Sequence, residues 1–264
     1  MQLQSIEEIG RHHRHIYLAP HFDDAALSCG GSIGVQRQAG PQVLVITIFG
    51  GTGQAQGALS PFATQLQSET GLGANVEEAI ARRRAEDAAA CQLLDADYLW
   101  LDFPDAIYRG YNSREALFGS LDRADVGIEE QLAAILLDIH SRAPLSVIYA
   151  PLGVGHHVDH QLVCSAADRL AQQKANIKFY EDFPYVATSG ALEDRQRELG
   201  LPMEVEMCEV SAHIPKKIEA ISLYASQVPE LFGSADRMRQ MVESYTGSLR
   251  KQYPGIKVER FWRW

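Results

Sequence analysis

Apolar residues gather in short runs separated by longer stretches of mixed character. Ile16 to Ala19 is the first run, and Val43 to Phe49 (Val-Leu-Val-Ile-Thr-Ile-Phe) is nearly unbroken, as expected of a strand covered on both faces. Tyr98 to Phe103, Leu145 to Ala150 and Ile177 to Glu181 read as further strands. Between them the pattern predicts helices over Asp24 to Gln38 with Gly40 at the stop, over Ile128 to His140 and over Asp159 to Gln173. A fourth helix is expected from an Asn75 cap to Leu94, with Glu77 and Glu78 in the first turn, where the helix dipole favours them. Strands alternating with helices predict an α/β fold, a Rossmann-like three-layer sandwich whose sheet is mostly parallel with helices on both faces. Gly50 to Gly73, rich in Gly, Gln, Ser and Thr, reads as one long loop. Beyond Ser189 the pattern weakens. Glu204 to Val210 is an expected strand, Pro215 to Ser226 an expected helix, and Arg250 to Trp264 a basic, aromatic tail. No linker or repeat divides the chain, so a single domain over residues 1–264 is expected.

In parallel sheets ligands bind outside the carboxyl ends of the strands. Two clusters stand there. Pro20-His21-Phe22-Asp23-Asp24 ends the first strand, and Gly155-His156-His157-Val158-Asp159-His160 follows the fourth. Imidazole and carboxylate suit a zinc-like divalent ion, and three protein ligands leave room for water and substrate. His21, Asp24 and His160 are the candidate ligands, for Zn2+ or alternatively Fe2+. Asp23 is left beside them, placed to take a proton from metal-bound water. His157 either protonates a leaving group or stabilises an oxyanion, and Asp159 is expected to orient its ring. Asp105, just after the third strand, falls on the same edge and is a candidate substrate contact. His12, His13 and His15 precede the first strand at the opposite edge and are expected at the surface.

Composition narrows the partners. A net charge of -10 argues against a general nucleic-acid binder. No apolar run of about 18 residues or apolar leader segment is present, so no membrane span is expected and the cytoplasm is the default location. The scattered Cys29, Cys91, Cys164 and Cys208 read as reduced core residues rather than a disulfide framework. Gly50 to Gly57 has the wrong spacing and context for a dinucleotide loop. The Arg82 to Arg84 run is either a solvated helix face or a contact for sugar hydroxyls or phosphate. The chain leaves a homo-oligomer open.

Pro20-His21-Phe22-Asp23-Asp24 with Gly30-Gly31, together with His157-Val158-Asp159-His160, resembles the PIG-L/LmbE-like family of zinc-dependent deacetylases over roughly residues 15 to 185. The family pattern is Pro-His-Pro-Asp-Asp and His-Pro-Asp-His. Phe22 and Val158 replace prolines that carry no functional side chain. The resemblance implies His21, Asp24 and His160 as metal ligands, Asp23 as general base and His157 as acid or oxyanion stabiliser. It also implies a substrate-contacting arginine in an Arg-x-x-Glu helix motif, matched to Arg84-Ala85-Glu86-Asp87 with Asp for Glu. Some members carry a tyrosine where Gly155 stands. The implied activity is hydrolysis of the N-acetyl group of a small amino sugar or glycoconjugate. An amidase acting on a larger N-acyl conjugate, and a non-catalytic carbohydrate-binding protein of the same fold, are the competing readings. The latter has no need of Asp23 beside a metal.

Overall fold

A computed structural model describes residues 1–52, 59–73, 75–250, 252–253 and 255–264. Part of the Gly50 to Gly73 stretch, residues 53–58, therefore lies outside the described residues. The first half runs β1 (His13–Ala19), α1 (Asp24–Gln38), β2 (Gln42–Thr47), α2 (Pro61–Glu69), α3 (Val76–Leu94) and β3 (Asp97–Trp100). There follow α4 (Arg114–Leu117), α5 (Val126–Arg142), β4 (Val147–Pro151), α6 (Val158–Ala171) and β5 (Ile177–Tyr180). The remainder holds α7 (Ala191–Leu199), β6 (Glu204–Glu209), α8 (Ile214–Ser222), α9 (Val228–Phe232), α10 (Ala235–Ser248) and β7 (Val258–Arg263).

The seven strands form one sheet in the order β3-β2-β1-β4-β5-β7-β6. The first five are parallel, and β7 runs antiparallel to both β5 and β6. The chain winds outward from β1 through β2 and β3, then returns to the other side of β1 for β4 and β5. The reversal puts a crevice at the carboxyl ends of β1 and β4, where open α/β sheets bind ligands. Both sequence clusters leave the sheet at that crevice.

Helix α1 has eleven consecutive buried residues from Asp24 to Gly34 and no exposed face over that span, as befits a helix enclosed by other layers. It packs against α3 and α8, while α5 and α6 pair beside β4. Gly31 permits the close approach: a Cβ there would sit 2.7 Å from Val210 Cβ. The contact is reinforced by a buried charge pair. Glu259 of β7 accepts from the Gly31 and Ser32 amides at 3.0 and 2.7 Å, and from Lys217 of α8 at 2.6 Å.

Several expectations need correction. Gly50 to Gly73 is not all loop, because Pro61–Glu69 forms α2. Ser60 caps it by accepting from the Ala63 amide at 3.1 Å, and Pro61 occupies the first turn, where no amide partner is needed. His13 and His15 belong to β1 rather than preceding it. His13 is buried and reaches Asp97 at 3.4 Å, so of the three only His12 is exposed. Three cysteines are buried as expected, and Cys208 on the edge strand β6 is half-buried. The tail contributes β7, which joins β6 to the sheet.

The buried pair gives a stability prediction. Glu259→Ala strands the Lys217 ammonium in the interior and should lower unfolding free energy by about 3–5 kcal/mol in urea titrations. The double variant Lys217→Met/Glu259→Met should recover most of that loss, because no charge is then left buried.

Candidate functional site

His21, Asp23 and Asp24 leave the end of β1 as the chain turns into α1. Asp23 occupies the position before the helix, yet its side chain caps no backbone amide, so the usual reason for an aspartate there is absent. Asp24 Oδ2 accepts from the His21 amide at 2.8 Å. The same oxygen lies 3.5 Å from His21 Nδ1 and 3.4 Å from His160 Nε2. Adjacent ligands of a tetrahedral centre with bonds of about 2.0–2.1 Å stand roughly 3.4 Å apart, so the Asp24 carboxylate stands at ligand spacing from each of the two imidazoles.

The other nitrogen of each ring is tied down. His21 Nε2 is 2.9 Å from Asp159 Oδ2, and His160 Nδ1 is 2.7 Å from Asp182 Oδ1. Carboxylates behind metal-binding imidazoles fix tautomer and ring orientation in this way. The donor set and its backing therefore fit a divalent cation. Other ligand atoms crowd the same place: His157 joins His21 and His160, and Asp105 and Asp159 join His21, with each group's ligand atoms within 4.8 Å of one another. Asp105 Oδ2 lies 3.6 Å from His21 Nε2.

Electrostatics follow from this crowding. Burial would lower the His21 pKa, but Asp105, Asp159 and Asp24 hold it well above its ordinary value. Burial would raise Asp24, but His160 and His21 keep it below the usual carboxylate range. For Asp23 burial prevails and pushes the carboxyl up, against the pull of Arg83. Burial, with His21 beside it, pushes His157 down to about 3, so its ring is neutral at ordinary pH. The Asp159 amide donates to His157 Nδ1 at 3.3 Å, which leaves the proton of the neutral ring on Nε2.

Between β4 and α6 the chain passes through left-handed backbone at Gly153, Gly155 and His156, and this turn delivers His157 to the cleft. Gly155 has φ +89°, and a Cβ there would sit 2.7 Å from Tyr185 Cβ. Tyr185 thus fills the space beside the position where relatives in the resembling family carry tyrosine. Its ring lies against His160 and Phe118, at centroid distances of 5.9 and 5.7 Å.

The structure brings His21, Asp23, Asp24, His157, Asp159, His160 and Asp105 together. Two expected contacts differ. The Asp159 carboxylate does not orient His157. It binds His21 and accepts from the Ala106 amide at 3.1 Å, while Arg109 Nη1 approaches its second oxygen at 2.7 Å. Arg84 does not face the cleft either. Its guanidinium donates to Gly50 O at 2.8 and 3.1 Å and lies over Trp100. Arg83 lines the cleft instead, with Nη2 3.4 Å from Asp23 Oδ1. The signal was present, since Arg83-Arg84-Ala85-Glu86 matches Arg-x-x-Glu without substitution. Asp182 was also legible as a carboxylate two residues past the end of β5. Arg109 and Tyr185 had no comparable signal.

The cleft over these groups measures about 1000 Å³ including its open mouth. Leu66 and Gln67 of α2, Ile80 of α3, Ile107, Leu117 of α4 and Leu231 of α9 line it with the charged floor.

A family model described as "PIG-L: GlcNAc-PI de-N-acetylase" matches residues 16–171. The 2'-N-acetylparomamine deacetylase of Niallia circulans is 31% identical over 233 residues, covering 83% of this chain and 82% of that protein. Its counterpart from Streptomyces fradiae is 29% identical, covering 86% and 78%. The crystal structure of a deacetylase–bog complex from the teicoplanin biosynthesis pathway aligns with a TM-score of 0.80 at 25% identity, covering 94% of this chain and 96% of that one. With its motif residues gathered at the crevice and the family model spanning β1 to α6, the chain belongs to the PIG-L, GlcNAc-PI de-N-acetylase, family.

Proposed function

We propose that this protein is a divalent-metal-dependent hydrolase that removes an N-acetyl group from an amino sugar or glycoconjugate. The observation that carries the reading is the convergence of His21, Asp24 and His160, each imidazole backed by a buried carboxylate, with Asp23 beside them and held by Arg83. The named activities of the curated relatives support the substrate class. A cation held by His21, Asp24 and His160, zinc on this donor set with ferrous iron as the alternative, would supply Lewis acidity toward water and the acyl oxygen.

The chain's own groups divide the remaining work. Asp23 accepts the proton of the attacking water. As the C–N bond breaks, that proton goes to the leaving nitrogen, and acetate and a free amine result. His157, neutral in this structure, donates its Nε2–H toward the acyl oxygen as negative charge develops there. This favours the oxyanion role over the acid role. Asp159 positions His21, and Arg83 opposes the upward push of burial on the Asp23 carboxyl. Asp105 borders the substrate side of His21. A reducing, cytoplasmic setting suits the four free thiols, and no helix among the described residues is long and apolar enough to cross a membrane.

The direct test is acetate release from 2'-N-acetylparomamine by metal-loaded protein, with N-acetylglucosamine as the small comparison. Asp23→Asn should keep its metal and lose about 10²- to 10⁴-fold in kcat. Undiminished turnover by that variant would remove Asp23 from the role, and absence of acetate from every N-acetyl sugar supplied would overturn the activity. Asp182→Asn, which touches no substrate, should weaken metal affinity by roughly 10- to 100-fold in chelator competition. Arg83→Ala should reduce kcat/KM at least about 10-fold, as for a lost charged hydrogen bond, whereas Arg84→Ala should stay near the parent. The reverse ranking would restore Arg84 as the contact.

A further inference from the structure

The wall that α2 contributes to the cleft carries an unpaired polar atom the hydrolytic groups do not use. Gln67 is 2% exposed and lines the cleft. Its amide nitrogen donates to the Tyr108 hydroxyl at 2.6 Å, but its carbonyl Oε1 is buried with no hydrogen-bond partner among the described residues. Its polar neighbours on the wall are paired: the Thr70 hydroxyl with the Leu66 and Gln67 carbonyls, and Gln227 with Ser226. Across the cleft, Arg83 Nε is likewise buried without a partner. A buried acceptor without a partner is destabilising, and natural structures hold few of them. An unpaired acceptor on a residue that lines a ligand cleft is one that an entering donor can satisfy.

Gln67 is also held in place. Tyr108 belongs to the turn Ala106–Tyr108, which Asp105 caps by accepting from the Ile107 amide at 3.1 Å, and Asp105 itself stands beside His21. Phe62 and Leu66 seat α2 against the cluster of Ala106, Tyr111, Leu117 and Val158. The amide is therefore fixed relative to the reacting groups, as a specificity contact must be.

We propose that Gln67 is a specificity-determining residue whose Oε1 accepts a hydrogen bond from a hydroxyl or amine on the sugar that bears the scissile amide. This rests on the hydrolase reading above. A carbonyl oxygen reads donors only, so a sugar whose group at that place is removed or capped loses the bond and leaves the acceptor buried and unpaired.

Equilibrium binding separates this inference from the deacetylation. In metal-loaded Asp23→Asn protein, titration calorimetry would compare 2'-N-acetylparomamine with analogues each lacking one hydroxyl or one amine. One analogue should bind roughly 10-fold more weakly, the worth of a single hydrogen bond to a fixed acceptor. Gln67→Met should weaken the complete ligand by the same factor and leave that analogue unchanged, while Gln67→Glu, which keeps an oxygen acceptor, should retain the preference. A deamino or a deoxy analogue as the sensitive one identifies the donor. Gln67→Met should melt no lower than its parent, which shows that any lost affinity is not unfolding. Equal loss, or no loss, across all ligands in Gln67→Met would overturn the assignment even if acetate is released. The expected pattern without acetate release would overturn only the hydrolase reading.

Discussion

The site depends on two carboxylates placed behind the imidazoles. Asp159 and Asp182 each hold one nitrogen of a histidine and so aim the other at Asp24. Asp159 is fully buried, and a lone carboxylate there would be protonated rather than charged. Burial would raise its pKa, but Arg109 and His21 hold it below the usual carboxylate range. Arg109 in turn is shared with Asp125 at 3.1 Å and lies over the Phe49 ring. The charges at the centre are therefore stable only as a connected set. Removing Arg109 would alter His21 through Asp159, without touching substrate.

Topology explains how residues 138 positions apart come to share a hydrogen bond. β1 and β4 are neighbours because the chain reverses its winding direction at β1. Each strand end is followed by the start of a helix, so His21 to Asp24 and His157 to His160 meet across a crevice that both helices open towards. The motif glycines serve this geometry. Gly31 lets α1 lie close to Val210, and Gly155 yields its side-chain space to Tyr185.

The five parallel strands and the central helices were legible because their burial is set by the strand–helix alternation itself. The metal-type cluster was legible because strand ends are where such residues have no structural reason to be. What escaped the sequence did so for physical reasons. Helix α2 sits in a stretch whose apolar residues are sparse, and it is seated by only Phe62 and Leu66 on a small separate cluster. β7 lies in a tail whose charged Glu259 and Arg260 look solvent-exposed in one dimension, yet both are paired in the interior with Lys217 and Glu181. Asp159 was placed with the wrong histidine because sequence proximity suggested His157, whereas the carboxylate points across the crevice to His21. The choice between Arg83 and Arg84 turned on a one-residue shift, which on a helix rotates a side chain by about 100° and takes it from the cleft to the flank.

The division between legible and hidden residues also marks a division of labour. The residues proposed to move protons or hold a cation sit at the ends of the sheet's central strands. Residues that line the outer part of the cleft, such as Gln67, Ile107 and Leu231, come from short helices and turns laid over the carboxyl edge. Those elements bury little apolar surface, so their sequences are free to change without loss of the sheet. A 2'-N-acetylparomamine deacetylase and a deacetylase of the teicoplanin biosynthesis pathway are both similar to this chain over most of its length. In this chain the polar atom left unpaired on that outer wall is consistent with the same logic. Of the seven buried side-chain atoms without a hydrogen-bond partner among the described residues, two, Gln67 Oε1 and Arg83 Nε, belong to residues that line the cleft.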